Sequence, residues 1–339
     1  MKKSTRRIGI GPMSPEVIEA TYKYSDINNI KIMLIASKNQ IDHSGGYVNN
    51  WNTARYTRFC NSLKKQNKNS KVLLCRDHCG PGFNGNFSLN DVYKTINSDI
   101  KSGFDLIHID FCHAQTNYKG ILDLSKKAIN HIKRENKEIL VEIGTDENLG
   151  QKLSTVNIIE FINEINFFLE FIKPEYFVVP TGSLVLEDSQ IGFFNKQFVK
   201  TFYDKIGKLN VKLKEHNADY LNSSEIQLRK KHISALNIAP QFGVNQTMYI
   251  LTACKKYGLD PSEFLNDCYK SKKWFKWLYT STKNDKFKCS ILAGHYNFNK
   301  KSYHSLIKKL IKQDNNFIDN LINFHYETIG HYVDNFYYD

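Results

Sequence analysis

A carboxylate and an imidazole stand side by side at the end of a short apolar run. The run Val72-Leu73-Leu74-Cys75 is followed by Asp77-His78, and the chain then breaks at Gly80-Pro81. A carboxylate in this position can move a proton, and a neutral imidazole can bind Zn²⁺ or another divalent ion. We therefore interpret Asp77 as a catalytic residue and His78 as a metal ligand. A loop cap and a surface histidine are the simpler alternative on this stretch alone.

Polar side chains follow other apolar runs in the same way. Asp110 would be costly to bury without a partner, so we expect it to orient a ligand hydroxyl or to pair with a neighbour such as His108. Glu142 is a further catalytic candidate and a candidate third metal ligand, and His216 is the second predicted metal ligand. The residues predicted to bind substrate are Asn39, Gln40, Gly144, Thr145, Ser183, Asn217, Asp219 and Asn237.

Eight short apolar runs, most of them separated by helix-like segments, must position these residues. Each run is short enough for a buried strand, and eight strand–helix units fit a (β/α)8 TIM barrel of about 250 residues. An open doubly wound sheet is the alternative, although no Gly-rich dinucleotide motif follows the first run. The runs are residues 7–11, 30–36, 71–75, 104–109, 138–143, 176–179, 210–214 and 233–238.

A barrel would bring the polar residues together, because the C-terminal ends of all its strands meet on one face. We predict an α/β barrel over residues 1–261, and the strand–helix alternation stops after that point. Residues 262–339 are predicted to form a helical C-terminal extension that packs on the barrel, covers its mouth or binds another subunit. The extension contains Trp274-Phe275-Lys276-Trp277 and a helix-like run from Tyr303 to His325.

Composition excludes several classes of protein. Lys and Arg number 47 against 34 Asp and Glu, a formal charge of +13, but no compact basic block with interleaved aromatics or nucleic-acid motif is present. We therefore expect no nucleic-acid partner. No apolar run is long enough to span a membrane, and no signal core follows the basic N-terminus. The seven scattered cysteines form no CxxC pair, which predicts free thiols in a reducing cytoplasm.

Several motifs resemble those of one known family, the tagatose-1,6-bisphosphate aldolase family that covers the non-catalytic (Z-type) subunits. The resemblance covers about residues 8–255, and Asp77-His78-Cys79-Gly80-Pro81 matches its Asp-His-x-Gly-Pro. The other matching segments, in order along the chain, are residues 14–20, 36–42, 45–47, 107–110, 143–145 and 216–220.

The resemblance implies a relation to class II aldolases, which are (β/α)8 barrels. In those enzymes the Asp-His pair after the third strand supplies a proton-transfer acid and a zinc ligand, which correspond to Asp77 and His78. A histidine after the seventh strand corresponds to His216. The zinc histidine expected after the sixth strand is replaced here by Pro180-Thr181-Gly182-Ser183. The family's usual role is to support a catalytic partner subunit.

Three functions follow from these observations. The first is reversible retro-aldol cleavage of a phosphorylated ketose such as tagatose 1,6-bisphosphate, with a divalent metal for which Zn²⁺ is the first expectation. The second is a non-catalytic subunit that stabilises a separate aldolase subunit. The third is epimerisation or isomerisation of a sugar phosphate on the same barrel. In each case we expect a sugar phosphate as ligand and an oligomeric assembly.

Overall fold

Eight parallel strands close into a barrel in chain order, so the predicted (β/α)8 fold is confirmed and the open sheet is excluded. The computed structural model describes residues 6–144, 155–278 and 282–338. Two further strands, β7 and β8, form a hairpin in the loop after the sixth barrel strand. The strands are β1 (Arg7–Ile10), β2 (Lys31–Ser37), β3 (Lys71–Cys79), β4 (Leu106–Ile109), β5 (Leu140–Ile143), β6 (Tyr176–Val178), β7 (Val185–Leu186), β8 (Ser189–Gln190), β9 (Leu213–Glu215) and β10 (Ala235–Ile238).

In the part of the chain that the structure describes, eight α-helices follow the barrel strands and four more belong to the extension. Ser14 followed by Pro15 predicts a helix start, with serine as the cap and proline at the first helical position. Pro15 is the first residue of the first helix, and the Ser14 hydroxyl accepts a hydrogen bond from the Val17 amide. The helices are α1 (Pro15–Asn28), α2 (Thr53–Gln66), α3 (Leu89–Lys101), α4 (Tyr118–Glu135), α5 (Thr155–Leu169), α6 (Lys196–Ile206), α7 (Ser223–Arg229), α8 (Pro240–Tyr257), α9 (Ser262–Lys270), α10 (Lys286–Leu292), α11 (Lys301–Gln313) and α12 (Phe317–Phe336).

Two apolar cores lie on the two sides of the barrel wall. A small inner core fills the barrel with residues from every second position of a strand, such as Met33 and Ile35 on β2. A larger core lies between the strands and the surrounding helices. This alternation follows from the period of two in a strand, and it decides which polar residues point into the barrel.

The extension divides into two parts. Helices α9, α10 and α11 share a separate core with α8. Helix α12 packs along α1 and contributes to the barrel's outer core. The Tyr337 hydroxyl donates to the Lys31 carbonyl and accepts from the Ile8 amide, which ties the end of the chain to the start of β1 and β2. The proposed boundary between residues 261 and 262 stays a prediction.

The helix-like run predicted from Tyr303 to His325 is helical but interrupted, because α11 ends at Gln313 and α12 begins at Phe317. The Asp314 carboxylate accepts from the Asn316 amide and from the Asn320 side chain. Such side-chain bonds to nearby backbone compete with the helical pattern and favour a turn. Within the described ranges, no helix is both long and apolar enough to cross a membrane.

Candidate active site at the barrel mouth

The inward-facing positions of the strands turn from apolar to polar at their C-terminal ends. On β3 the inner-core residue Cys75 is followed two residues later by Asp77, and on β4 Leu106 is followed by His108. Alternation therefore points these polar side chains into the barrel, directly above the inner core. The same period places Glu142 on β5, His216 just after β9 and Asn237 on β10 at this end.

A bulge in β3 brings His78 to the same side as Asp77. Consecutive residues of a regular strand point to opposite faces. Here Arg76 pairs with Ile107 but Cys79 pairs with Ile109, so β3 holds one residue more than β4. His78 takes up the extra length with φ of 47°, and its ring lies at the mouth. Bulges of this kind re-aim side chains at functional sites.

The imidazoles of His78 and His216 face each other across the mouth. His78 Nε2 and His216 Nδ1 lie 3.2 Å apart. The other nitrogen of each ring contacts a carboxylate: His78 Nδ1 lies 2.8 Å from Asp110 Oδ2, and His216 Nε2 lies 3.4 Å from Glu142 Oε1. In the metal-free chain one facing nitrogen donates a hydrogen bond to the other. A carboxylate accepts the proton of the nitrogen that it contacts, so if both rings were neutral and held a cation, the two facing nitrogens would present lone pairs to the same point.

This donor arrangement fits a divalent metal. Two imidazole ligands of one tetrahedral Zn²⁺, each with a bond of about 2.0–2.1 Å, have their nitrogens about 3.3 Å apart, close to the 3.2 Å between His78 and His216. Asp77 Oδ2 lies 3.8 Å from His78 Nε2, and Asp77 Oδ1 lies 3.8 Å from His216 Nε2. Glu142, the predicted third ligand, instead contacts His216 Nε2 and the Lys214 ammonium.

Opposite charges hold the acids of the mouth ionised. Burial would raise the pKa of Asp77, but the charges of His78 and His216 outweigh it and hold this pKa well below its usual range. Burial also opposes ionisation of Asp110, but its hydrogen bond with His78 lowers its pKa to about 2. Burial opposes ionisation of Glu142 as well, but the charge of Lys214 lowers its pKa to about 2. Burial would lower the pKa of His78, but Asp77 and Asp110 raise it to about 9.

His108 supports the site through both ring nitrogens. Its Nδ1 accepts from the His78 amide at 3.2 Å, and its Nε2 lies 2.8 Å from the Gly144 carbonyl oxygen. The ring therefore carries its proton on Nε2 and joins the bulge of β3 to the end of β5. We expected Asp110 to pair with a neighbour such as His108. It forms its hydrogen bond with His78 instead, because the bulge brings the His78 ring within 2.8 Å of its carboxylate.

Lys214 completes the mouth and was not singled out from the sequence. Its ammonium lies 2.6 Å from Glu142 Oε2, and both side chains are almost fully buried. A buried lysine needs a paired carboxylate. Its position two residues before His216 places it on the inward face of β9, and this spacing could have identified it from the sequence. Asn237 also joins the cluster, with its Nδ2 3.4 Å from Asp77 Oδ1.

Several residues that were predicted to bind substrate form hydrogen bonds within the protein instead. Gln40 Oε1 accepts from the Ser37 amide, and Ser183 donates to Glu215, which also pairs with Arg229. One Asp219 oxygen accepts from the Ala239 and Gln241 amides at the start of α8, and burial raises the pKa of this acid to about 7.

The other predicted substrate residues contact the loops around the mouth. The Asn39 amide donates to the Phe83 carbonyl, and the Asn217 carbonyl accepts from Gln190 on β8. The Gly144 carbonyl contacts His108. Thr145 lies outside the described residues.

The fold and the site define an α/β barrel protein with a histidine–carboxylate cluster at its mouth. The model of the D-tagatose-1,6-bisphosphate aldolase subunit GatZ/KbaZ-like family matches residues 2–131. Over these residues the match confirms the resemblance that the sequence motifs indicate, and it includes Asp77, His78 and Asp110. No curated protein sequence matches the chain.

Solved structures share the barrel at low sequence identity. A probable tagatose 6 phosphate kinase from Sinorhizobium meliloti is 16% identical, with TM-score 0.77 over 96% of this chain and 93% of that chain. A fructose-bisphosphate aldolase from Campylobacter jejuni is 12% identical, with TM-score 0.56 over 94% and 91%. The fructuronate-tagaturonate epimerase UxaE from Cohnella laeviribosi is 10% identical, with TM-score 0.60 over 99% and 82%. At these identities the likeness establishes the fold.

Proposed function

We propose that the protein is a class II aldolase-like enzyme of carbohydrate metabolism that cleaves a phosphorylated ketose, such as tagatose 1,6-bisphosphate, reversibly and with a divalent metal, most simply Zn²⁺. The observation that carries this proposal is the pair of facing nitrogens of His78 and His216, each ring oriented by a carboxylate. A bound cation would supply Lewis-acid polarisation of the ketose carbonyl.

The protein's own residues would position the substrate and move its proton. Asp77 is ionised, partly exposed and beside the facing pair, so it is suited to accept the hydroxyl proton released when the C–C bond breaks. The Asn237 amide contacts Asp77 and would orient it. Asn237 Oδ1 is buried and has no hydrogen-bond partner among the described residues, so it could accept from a substrate hydroxyl.

A second candidate is the supporting role of an aldolase subunit. The matching family is described as an aldolase subunit, and the sixth strand is followed by Thr181 and Ser183 where a third imidazole would complete the metal site. Ser183 is engaged with Glu215 and Arg229. In this role the chain would hold a catalytic aldolase subunit in an oligomer, in the cytoplasm where its cysteines stay free.

Metal content and retro-aldol activity of the purified chain test these alternatives together. The enzyme proposal expects about one bound divalent ion per chain and cleavage of at least one ketose phosphate. Asp77→Asn should keep the ion and lose cleavage, whereas His78→Ala should lose both. No ion and no cleavage from the isolated chain would reject the enzyme. Cleavage that rises when the chain is added to an aldolase subunit would then support the second role.

Proton exchange separates cleavage from epimerisation. A sugar phosphate that exchanges a carbon-bound proton with deuterated solvent, without giving aldehyde products, would point to an epimerase or isomerase on this barrel. Such an outcome would keep the proton-transfer role of Asp77 and reject carbon–carbon cleavage.

A further inference from the structure

A groove beside the barrel mouth carries three lysines. Its volume is about 520 Å³, and it is lined from the loop after β2 and from the extension. No Asp or Glu lines it in the part of the chain that the structure describes, so the groove is a positive surface. We call it the lysine groove, and its residues are Asn39, Tyr47, Lys272, Lys273, Phe275, Lys276 and Tyr296.

The charges of the lysine groove are not neutralised by neighbours. Across residues 6–144, 155–278 and 282–338, no carboxylate forms an ion pair with Lys272, Lys273 or Lys276. Instead, the Lys276 ammonium lies over the ring of Trp277, 4.6 Å from its centre. Lys272, Lys273 and Lys276 all line the same concave volume, and all three are exposed. Their combined potential therefore favours an anion of matching size.

Tyr296, one of the aromatic residues that line the lysine groove, adds a neutral hydrogen-bond donor. The Tyr296 hydroxyl accepts from Trp277 Nε1 at 3.1 Å, so its own proton remains for donation. His295 packs against two aromatic residues of the groove. Its ring centre lies 4.0 Å from that of Tyr296 and 5.7 Å from that of Tyr47. His295 is buried, and neither ring nitrogen has a hydrogen-bond partner among the described residues. His295 does not itself line the groove, so the Tyr296 hydroxyl is a neutral donor on this side of it.

The lysine groove lies next to the mouth. The Asn39 amide in the groove donates to the Phe83 carbonyl, and the Phe83 ring stacks on His78 with 4.8 Å between ring centres. One residue therefore separates a groove residue from a predicted metal ligand. A ligand with one group at His78 could place a second group in the groove.

We propose that the lysine groove binds the phosphoryl group of a phosphorylated sugar. A phosphoryl group carries up to two negative charges and several acceptor oxygens, which match three ammonium groups and a phenol. The group belongs either to a substrate whose carbonyl lies at the mouth or to a phosphate ester held in the groove alone. The proposal goes beyond the proposed cleavage, because the groove is built largely by the extension and needs no metal.

Calorimetric titration of the full chain tests the proposal, with inorganic phosphate, fructose 6-phosphate and fructose 1,6-bisphosphate as probes. The groove variant is K272G/K273A/K276A. Glycine is used at position 272 because Lys272 has φ of 55°, where alanine would be strained. The control K308A/K309A/K312A removes the same charge from exposed positions of α11. We expect the groove variant to weaken sugar-phosphate binding about 10- to 100-fold, and the control to change it less than about twofold.

The variant His78→Ala distinguishes the two sources of the phosphoryl group. If the groove holds one end of a substrate, His78→Ala weakens fructose 1,6-bisphosphate but leaves inorganic phosphate unchanged. If the groove holds a phosphate ester alone, His78→Ala leaves all three probes unchanged. Phosphate binding by a chain that holds no metal ion and cleaves no ketose phosphate would reject the proposed enzyme and keep the groove.

Equal affinities in the wild type, the groove variant and the control would overturn the proposal. So would a wild-type chain that binds none of the probes at millimolar concentration. If the triple variant does not fold, the single variants Lys273→Ala and Lys276→Ala replace it, each with an expected loss of about three- to tenfold.

Discussion

The barrel mouth and the lysine groove both collect charged side chains, but they hold them in opposite ways. At the mouth, Glu142, Lys214 and His216 are almost fully buried and paired with one another. In the groove, Lys272, Lys273 and Lys276 are exposed, and no described carboxylate neutralises them. Buried charges act through fixed geometry, whereas exposed charges act through a potential that salt screens. The mouth is therefore suited to chemistry and the groove to attraction of an anion.

Removal of a facing imidazole should give the largest effect. His216→Ala takes away one of the two nitrogens that lie 3.2 Å apart. We expect Zn²⁺ affinity to fall by more than the roughly 100-fold seen for loss of a supporting residue. Equilibrium dialysis against a zinc chelator measures this change. The control is His131→Ala, a half-buried histidine on α4. Unchanged affinity in His216→Ala would remove the metal site from the mouth.

Loss of the buried acid should cost the most stability. Glu142→Gln leaves the Lys214 ammonium buried without a countercharge, so we expect the free energy of unfolding to fall by about 3–5 kcal/mol. Glu175→Gln is the matched control, because Glu175 also lies 2.6 Å from a lysine, Lys212, but this pair is partly exposed. Its loss should cost at most about 1 kcal/mol. Urea unfolding of both variants gives the comparison, and equal losses would contradict it.

Stability of the metal-free chain should depend on pH through His78. The folded state raises the pKa of His78 from 6.5 to about 9. The protonated ring therefore stabilises the fold fully below about pH 6.5, and this contribution is lost as pH rises to about 9. The change is on the order of 3 kcal/mol at most. Urea unfolding across this range measures it, and a slope that persists in His78→Ala would assign it to another group.

The carboxylate behind His78 should affect metal binding more weakly than the ligand itself. Asp110→Asn keeps the shape of the side chain but loses the charge that orients the ring, 2.8 Å from His78 Nδ1. We expect a 10- to 100-fold loss of Zn²⁺ affinity. Asp314→Asn, in the turn between α11 and α12, serves as the control. An effect as large as that of His78→Ala would make Asp110 a ligand.

Salt concentration should affect ligand binding at the groove more than at the mouth, and this difference is the smallest of the expected effects. Because the lysines of the groove are exposed, raising the salt concentration from 50 to 500 mM should weaken fructose 6-phosphate binding severalfold. Metal binding at the buried mouth should change much less in a chloride-free salt. Titrations of both ligands at the two salt concentrations test this, and equal sensitivity would place the phosphate site at the mouth.

Much of the fold was predictable from local pattern. Each of the eight apolar runs became a barrel strand, and Ser14-Pro15 began a helix as expected. Strands and caps depend on residues close in sequence, so their signals can be read along the chain. The break at Asp314 was missed, because its turn is made by side-chain bonds that a periodic pattern does not reveal.

The site was predictable only in part. The sequence by itself determined that Asp77, Asp110, Glu142, His216 and Asn237 would lie at one end of the barrel, because strand ends and the period of two carry that information. Only the tertiary structure decided that a bulge turns His78 toward His216, that Lys214 pairs with Glu142, and that Ser183 pairs with Glu215. Each of these contacts joins residues that are far apart in the sequence, and such pairings depend on register and packing that no local segment contains.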